Sequence, residues 1–306
     1  MNKCISVVLP NFNGRNLLAD NLPSIYKALT KSGHSFEIIV ADDCSTDDSV
    51  EFLNKNYPAI KIVSQIKNSG FSSTCNLGVR NTNAKYTCIS NTDVTFNEDY
   101  FLLGIKILIQ SNAFAIKGDI YNYADSIDNI INIDKTTRLY FKRGFLRFRT
   151  GNTPGENHSD ILEFSALGCC FICNTENFKS LGGFDEIYAP YYWEDSDLAL
   201  RAINNNLNII YTAECIAYHK ASSTIAATQK SSKRKMISRR NKFIFSWRHM
   251  SGINQWSSHI ATQILSFFTR WLLLDYNFYI SFFFAAKKIS RYRKLQWSQK
   301  YNNNEY

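Results

Sequence analysis

The sequence predicts an α/β fold with a largely parallel central sheet. Short β-rich apolar runs alternate with segments of helical periodicity throughout residues 1–116. Strands that alternate with helices in this way are typical of crossover connections between parallel strands. The chain has 306 residues, 45% of them hydrophobic, which suits one large domain with an appendage or two domains.

The elements follow in order from the local periodicity. A first helix is predicted after the turn NFNG, because Leu17, Leu18, Leu22, Ile25 and Leu29 are spaced for one face. The other predicted helices are 50–54, NLGVRNT, 100–110, FKSLGGFDE and YWEDSDLALRAINNN. The predicted strands are CISVVLP, 36–41, IKIVSQI, KYTCISNTD up to Asp93, 113–116, ALGCCFICN and two short strands in LNIIYTAECIAYHK.

The second half of the chain is less regular and far more basic. Residues 119–160 contain the patch RLYFKRGFLRFR, for which we expect a β-hairpin or loop; an acceptor-side loop is the alternative. Residues 1–219 carry 19 Lys and Arg against 24 Asp and Glu, a net charge of −5, whereas residues 220–306 carry 16 against 2, a net charge of +14. We therefore divide the chain into an α/β domain, 1–222, and a basic, aromatic-rich helical tail, 223–306.

Polar and acidic residues recur where the predicted strands end. These ends read Pro10-Asn11, Asp42-Asp43, Lys67-Asn68 and Asn91-Thr92-Asp93. In open α/β sheets, ligands bind at the carboxyl ends of the strands. Carboxylates gathered on one rim repel one another unless a cation screens them. The sequence therefore predicts a ligand site that includes a cation.

The segment SNTD is the first candidate for that cation. If it is extended, Asn91 and Asp93 point to the same side and could hold Mg²⁺ or Mn²⁺ on a diphosphate. An Asx turn at the end of the strand is the alternative. Neither G-x-x-x-x-G-K-[ST] nor G-x-G-x-x-G follows the first strand, which argues against P-loop and dinucleotide-binding sites.

The segment YYWEDSDLALR is the second candidate site. Glu194, Asp195 and Asp197 precede an apolar helical pattern. A helix N-terminus stabilises acids electrostatically, so the three acids could be the solvated start of a helix. A catalytic or binding site is the other interpretation. Asp197 could cap the helix or pair with Arg201 four residues later, which contributes about 0.2–0.5 kcal/mol.

The order of these motifs resembles that of the family-2 glycosyltransferases, in particular bacterial polysaccharide-assembly members such as rhamnosyltransferase-like enzymes. The resemblance covers residues 4–220, with a weaker match to about residue 250. It implies the GT-A fold, a Rossmann-like and mostly parallel sheet flanked by helices, here with a basic helical appendage. The segments that carry it are SVVLPNFNG, EIIVADDCSTDDS, NSGFSSTCNLGV, SNTD, LGCCFICNTENFKSLGGFDE with YYWEDSDLALR, and AYHK.

The resemblance also implies roles for single residues. Asp195 would be the general base, with Glu194 orienting it or the acceptor. Asp93 would bind Mn²⁺ or Mg²⁺ on the diphosphate, and His219 would be a further metal ligand or touch the phosphates; a strand-end histidine in a structural role is the alternative. The residues that would contact the donor are Pro10, Asn11, Asn13, Asp42, Asp43, Asn68, Gly70, Asn76, Asn91 and Thr92.

One departure from the family pattern concerns the metal. Asn91 stands where the D-x-D motif has its first acid, so one charged ligand is missing. The implied reaction is still an inverting transfer from a nucleotide-diphosphate sugar to a hydroxyl of a glycan or lipid-linked glycan. A hydroxyl is a poor nucleophile, so a carboxylate within reach must take its proton, and Asp195 is the candidate. A non-catalytic GT-A-like scaffold subunit is the alternative, and the lack of a Gly-rich basic loop disfavours a nucleotidyltransferase.

The residue pattern of the tail predicts that this segment contacts a membrane surface. Arg270 and Asp275 interrupt its apolar stretch, and no uninterrupted run approaches the roughly 20 residues that a membrane span needs. Aromatic and leucine residues beside Lys and Arg clusters favour an in-plane anchor on anionic lipid. Helices that pack on the α/β domain are the alternative. No nucleic-acid motif is present, so we expect no nucleic-acid partner.

The N-terminus and the cysteines indicate in which cellular compartment we expect the protein. Pro10 and Asn11 break the first apolar run where a signal-peptide cleavage site would be expected. We therefore expect a cytoplasmic protein, peripheral at the inner face of the cell membrane, with its eight cysteines reduced. Cys170 and Cys173 have metal-ligand spacing but no second pair, so we expect small buried residues of a strand.

Overall fold

The computed structural model describes residues 3–124, 126–134, 136–150, 162–164, 167–220 and 230–302. The strands are β1 (Ile5–Asn11), β2 (Phe36–Asp42), β3 (Lys61–Ser64), β4 (Tyr86–Ser90), β5 (Val94–Phe96), β6 (Ala115–Tyr123), β7 (Ile130–Asp134), β8 (Thr137–Lys142), β9 (Phe145–Thr150), β10 (Leu162–Phe164), β11 (Cys170–Asn174) and β12 (Ile209–Lys220). The helices are α1 (Arg15–Lys31), α2 (Ser49–Asn56), α3 (Phe71–Arg80), α4 (Tyr100–Ser111), α5 (Thr175–Ser180), α6 (Glu194–Asn204), α7 (Ser231–His249), α8 (Ile253–Leu272) and α9 (Tyr276–Asn302), with a 3₁₀ turn at Glu186–Tyr188.

The main sheet is mixed but mostly parallel, as predicted. Its strand order is β3-β2-β1-β4-β11-β6-β12-β5, with β7 added beside β6. Strands β1 to β4 run parallel, and β12 runs parallel to β6. β11 is antiparallel to β4 and β6, and β5 is antiparallel to β12. The carboxyl ends of β1, β2 and β4 therefore meet at one edge.

Both faces of the sheet are covered, which explains the near-continuous apolar runs of its strands. Val7 belongs to the core under α1 and α4, while Val8, on the opposite face, packs into the core that includes α3, α6 and α7. The apolar face of α1 predicted from periodicity is confirmed, because its leucines and isoleucine are buried or half-buried. Cys170 and Cys173 are small buried residues of β11.

Several predicted strands were wrong in their limits, and two of these lead to the candidate site. KYTCISNTD does not continue to Asp93; β4 ends at Ser90 and a turn separates it from β5. LNIIYTAECIAYHK forms one long strand, β12, rather than two. Its register shifts between Tyr211 and Ile216, where the backbone of Cys215 lies so close to Gly118 that no side chain would fit there. The bulge keeps the strand continuous.

The basic aromatic patch forms the β8–β9 hairpin, as predicted. Together with β10 it makes a separate antiparallel sheet. The turn at Arg143 and Gly144 has positive φ at both positions. Its Gly144 carbonyl accepts a hydrogen bond from His259 Nδ1 of α8 at 2.5 Å, so the hairpin tip lies against the helical tail.

The helices of the tail differ in their surroundings. Phe243, Ile244 and Phe245 of α7 are fully buried in the core on one face of the main sheet. α9 packs against α7, whereas α8 leaves a long face exposed. None of the described helices combines the length and hydropathy that crossing a bilayer requires. A domain boundary at residue 222 stays a prediction.

Candidate active site

The first part of the site is the acidic turn after β2. Asn11 lies opposite Asp42 in the parallel register, and its Nδ2 donates to Asp42 Oδ1 at 3.0 Å and to Ser45 Oγ at 3.1 Å. The backbone N–H of Ser45 donates to Asp42 Oδ2 at 2.9 Å. Asn13 adopts a φ of 51° and accepts from the backbone N–H of Thr46 at 2.7 Å. These bonds hold the turn in one shape before any ligand binds.

Asp43 joins this turn to the start of α3. Its carboxylate accepts the backbone N–H groups of Ser69 at 2.7 Å and Gly70 at 2.9 Å. Gly70 has a φ of 87°, and a Cβ there would lie 2.8 Å from the Cα of Pro190. Only glycine permits this close approach. Asp43 therefore fixes a loop, while Asn68 beside it is exposed to solvent.

The turn at residues 91–93 is not extended, so the expectation that Asn91 and Asp93 lie on one side of a strand was wrong. The backbone N–H of Asn91 donates to the carbonyl of Cys169, and the carbonyl of Thr92 accepts from Asn21 Nδ2. The side chain of Asp93 is nevertheless buried. Asn91 Oδ1 is also buried, and it has no hydrogen-bond partner among the described residues.

His219 faces Asp93 across the end of β12. Its Nε2 lies 3.3 Å from Asp93 Oδ1, and its Nδ1 lies 2.7 Å from Asn122 Oδ1. Asn122 uses its Nδ2 to donate to Asn132 at 2.8 Å, so its Oδ1 is the acceptor and His219 carries its hydrogen on Nδ1. Nε2 is therefore the ring nitrogen of His219 that faces Asp93. Pairing between β6 and β12 sets this arrangement, because His219 stands opposite Asn122 in the register.

These residues fit a divalent cation. A carboxylate oxygen and an imidazole nitrogen 3.3 Å apart are close to the spacing of adjacent ligands on one ion, which is about 3 Å for an octahedral shell with bonds of about 2.1 Å. The buried Asn91 Oδ1 is a third candidate oxygen. Throughout the part of the chain that the structure describes, no three His, Cys, Asp or Glu side chains are grouped so that they alone could hold a metal ion. The remaining ligands would have to be waters or phosphate oxygens, as is usual for Mg²⁺.

The three acids of YYWEDSDLALR have three different environments. Asp197 is fully buried and accepts from Tyr188 at 3.0 Å, from His249 at 2.8 Å and from Arg201 Nε at 2.7 Å. Burial acts to raise its pKa, but the His249 hydrogen bond and the charges of Arg201 and Arg248 outweigh it and lower the pKa to about 2. The predicted pair with Arg201 is confirmed, and Asp197 holds α6 in place.

Glu194 is buried at the first turn of α6. Burial, with the nearby charges of Asp195 and Asp197, raises its pKa to about 8, although backbone N–H groups oppose this shift. Its Oε2 has no hydrogen-bond partner within the described part of the chain. This pKa favours the neutral carboxylic acid at pH 7, whose O–H can donate.

Asp195 is the half-buried member of the cluster, and it lies beside the 91–93 turn. Its Oδ2 accepts from the backbone N–H of Gly168 at 3.3 Å. The next residue, Cys169, accepts from the backbone N–H of Asn91 at 2.9 Å. The loop before β11 therefore links the carboxylate of Asp195 to the proposed metal turn. This loop connects the surroundings of two acids, Asp93 and Asp195, that are about 100 positions apart in the sequence.

The turn that precedes these acids is strained and is held by the tail. Tyr192 and Trp193 have φ values of 77° and 81°, which L residues rarely adopt. Asn241 of α7 is fully buried, and its Nδ2 donates to the carbonyls of Tyr188, Tyr191 and Tyr192 at 2.7–2.9 Å. Sequence reasoning missed Asn241 because no local pattern indicates a contact about 50 residues away.

Other residues correct or extend the predicted site. The side chain of Asn76 is engaged at both ends by the backbone of Phe184, so its observed contacts are structural. Pro10 lies half-buried near the end of β1. Ser45 and Asn122 were also missed. Ser45 lies within the acidic turn and could have been suspected, whereas the role of Asn122 depends on strand pairing alone.

Comparison with known families agrees with this geometry. The model of glycosyl transferase family 2 matches residues 6–180, which is more than half of the chain. A second model, described as the N-terminal domain of galactosyltransferase, matches residues 160–222. The two matches together include both the 91–93 turn and α6.

Curated relatives match over shorter stretches. An uncharacterized glycosyltransferase of Rickettsia conorii is 32% identical over 110 residues, covering 35% of this chain and 18% of that protein. The putative teichuronic acid biosynthesis glycosyltransferase TuaG of Bacillus subtilis is 27% identical over 118 residues, covering 37% of this chain and 46% of that protein. The matched region thus spans less than half of either relative.

Solved structures share the fold over most of the chain. TarS 1–349 of S. aureus superposes with a TM-score of 0.54 at 16% identity, covering 88% of this chain and 73% of that one. The mannosyltransferase PcManGT of Pyrobaculum calidifontis does so with a TM-score of 0.55 at 13% identity, covering 95% and 75%. The likeness shows the GT-A fold. With this fold and the match over residues 6–180, the chain belongs to glycosyl transferase family 2.

Proposed function

We propose that this protein is a metal-dependent, inverting glycosyltransferase that moves a sugar from a nucleotide-diphosphate sugar to a hydroxyl of a glycan or lipid-linked glycan. The observation that carries the proposal is the position of Asp195, which contacts Gly168 while the adjacent Cys169 holds Asn91. The loop before β11 therefore connects the carboxylate of Asp195 to the turn that carries the buried Asp93, which supports a site that contains both. This is the combination that an inverting transfer requires.

The donor class rests on the edge of the sheet and on the neighbours. TarS has been crystallised with UDP-GlcNAc, and PcManGT with GDP-Man and Mn²⁺. In this chain the preorganised turn at Asp42 offers a carboxylate for a nucleobase or ribose. Asp93, His219 and Asn91 would hold Mn²⁺ or Mg²⁺, which when bound neutralises charge on the departing diphosphate.

The chain's own residues would handle the proton of the acceptor. Asp195 would take it as the hydroxyl attacks from the face opposite the leaving group, so the anomeric carbon inverts without a covalent intermediate. Neutral Glu194 would stand beside Asp195 without adding a second negative charge and could donate a hydrogen bond to the acceptor. α6 and its supporting turn keep both groups in fixed positions.

The acceptor class rests on the relatives. TuaG is described as a teichuronic acid enzyme, and a Bacillus spizizenii relative, 36% identical over 69 residues, as a poly(ribitol-phosphate) beta-glucosyltransferase. Both descriptions concern cell-envelope polymers. We extend this class, and not a particular polymer, to the present chain, acting at the inner face of the cell membrane.

A screen of nucleotide sugars tests the donor and the metal. We expect one donor to be hydrolysed to the nucleotide diphosphate in the presence of Mn²⁺ or Mg²⁺, and Asp93→Asn to abolish this release while the melting temperature stays within a few degrees. Failure of every nucleotide sugar to bind with Mn²⁺ present would overturn the proposal. Tight donor binding without hydrolysis or transfer would support the scaffold subunit instead.

Asp195→Asn tests the base. The variant removes the proton acceptor and keeps the shape, so we expect donor affinity to persist while transfer falls by about 10²–10⁴-fold. Titration calorimetry measures the first quantity and product formation the second. Asp128→Asn, at an exposed carboxylate, is the matched control and should transfer normally. Transfer at the wild-type rate by Asp195→Asn would refute the assignment.

A further inference from the structure

One face of α8 is apolar and exposed along the whole helix. Ile253, Trp256, Ile260, Ile264 and Phe268 recur every three or four residues and are 37–86% exposed. The opposite face carries buried residues such as His259, which contacts the β8–β9 hairpin. α8 is therefore anchored on one side and has no partner for its apolar side among the described residues.

The apolar face continues around the end of α8 into α9. Trp271 and the three leucines 272–274 are 65–80% exposed, and Phe283 of α9 is also exposed. Of the 21 large hydrophobic side chains that are exposed in the described residues, 14 lie between Ile253 and Phe284. Soluble monomers rarely leave such a concentration in water, so this surface has a partner.

Basic residues of α9 border this face. Lys287 is exposed and follows the exposed Phe283 by four residues, so the two lie on one side of α9. Arg293 of α9 is exposed and lines, with Trp247 of α7 and Trp256 of α8, a cavity of about 510 Å³. Within residues 230–302 the single acid, Asp275, is neutralised by Arg239 and Arg270.

We infer that this face, which we call the α8 face, docks in the plane of an anionic lipid bilayer. Its aromatic and aliphatic side chains would enter the interface, and Lys287 and Arg293 would meet lipid phosphates. A second copy of the chain is a poorer partner, because its own basic border would be brought near the first. Docking of the α8 face would hold the proposed active site near a lipid-linked acceptor. Only this consequence rests on the proposed function, because the docking itself requires neither donor nor acceptor.

Two isoleucines of equal exposure test the apolar part. Ile264 on the α8 face is 57% exposed, and Ile109 on α4 is 56% exposed. We expect full-length protein to co-sediment with vesicles of phosphatidylglycerol and phosphatidylcholine. Ile264→Glu should weaken this binding by about tenfold or more, whereas Ile109→Glu should leave it unchanged. Equal binding of the two variants would overturn the proposal.

Two arginines test the charged part. Arg293→Gln keeps a long polar side chain that favours a helix. It should weaken binding to the anionic vesicles by about fivefold, the effect of one basic residue at such a surface. Arg80→Gln, at an exposed position at the end of α3, is the control and should have no effect. Equal losses in the two variants would indicate only a general charge effect and would contradict the assigned orientation.

Further outcomes separate this inference from the proposed function. Vesicle binding needs neither donor nor acceptor, so it can succeed where transfer fails, and transfer to a soluble acceptor can succeed where vesicle binding fails. A wild-type protein that ignores vesicles would overturn the inference. If it also self-associates in sedimentation velocity and Ile264→Glu makes it monomeric, the α8 face belongs to a second copy.

Discussion

At the scale of single residues, two carboxylates in one turn of helix have opposite pKa shifts. Glu194 is buried near two other acids, and its pKa rises to about 8. Asp197 is buried as well, yet His249, Arg201 and Arg248 surround it and lower its pKa to about 2. Burial acts to raise the pKa of both carboxylates, and the cationic and hydrogen-bonding partners of Asp197 reverse this effect. The stabilisation from Asp197 is present above the ordinary pKa of 3.8 and is lost as the pH falls through about 2.

Glu194 should make the protein less stable as the pH rises. The unfolded chain loses this proton near pH 4.5 and the folded chain near pH 8. Between these values unfolding releases a proton, so the free energy of unfolding falls with increasing pH, by a few kcal/mol at about 1.4 kcal/mol per pKa unit. Glu194→Gln should remove this slope. Urea denaturation at pH 5.5 and pH 8 measures it, with exposed Glu51→Gln as the control.

The same substitution tests the neutral state of Glu194 in the site. Glutamine keeps the shape and a hydrogen-bond donor, so Glu194→Gln should retain transfer within a few-fold, while Glu194→Ala should lose much more. An unchanged pH slope of stability in Glu194→Gln would show that Glu194 is ionised in the folded protein. Loss of transfer equal to that of Glu194→Ala would show that its charge is needed.

At the scale of elements, α7 determines the shape of the turn that places Asp195. Asn241→Leu would remove a donor from the carbonyls of Tyr191 and Tyr192 and one of two donors from the carbonyl of Tyr188, next to two residues of positive φ. We expect it to lower the free energy of unfolding by about 2–4 kcal/mol and to reduce transfer more than donor affinity. Chemical denaturation and titration calorimetry measure these effects. Asn254→Leu, at an exposed asparagine of α8, should change neither, and unaltered transfer in Asn241→Leu would contradict this role.

The end of β4 shows how one element can be misjudged. The apolar run and its polar end were recognised, but residues 94–96 form a separate strand because they pair with β12, more than 100 positions later. The chain must turn at residues 91–93 to reach that pairing. This turn places the buried side chain of Asp93 beside His219. A strand that continued straight through residues 91–93 would not bring the two side chains together.

At the scale of the whole molecule, the basic tail contributes both core and surface. α7 places Phe243, Ile244 and Phe245 in the core, while Lys288 and Tyr292 of α9 contact Ala189 and Asp185. A chain that ends at residue 229 should therefore aggregate or melt well below the full-length protein. A chain that ends at residue 250 keeps α7 and should fall between them. Thermal unfolding of the purified chains measures this order, and equal melting temperatures would support an independent domain that ends near residue 222.

The sequence by itself determined the features that depend on neighbours along the chain. These are the alternation of strands and helices, the buried face of α1, the hairpin at RLYFKRGFLRFR and the order of motifs that marks the family. The polar residues at strand ends were also visible, because parallel strands bring their carboxyl ends to one edge. Local periodicity and turn chemistry carry this information.

Only the tertiary structure decided what each candidate residue does. The tautomer of His219 depends on Asn122, the neutral state of Glu194 on its burial, and the charge of Asp197 on His249 of the tail. Both ends of the Asn76 amide bind the backbone of Phe184, and its expected contact with the donor stays a prediction. Protonation and hydrogen bonding depend on dielectric and partners, and folding supplies these from residues that lie far apart in the sequence.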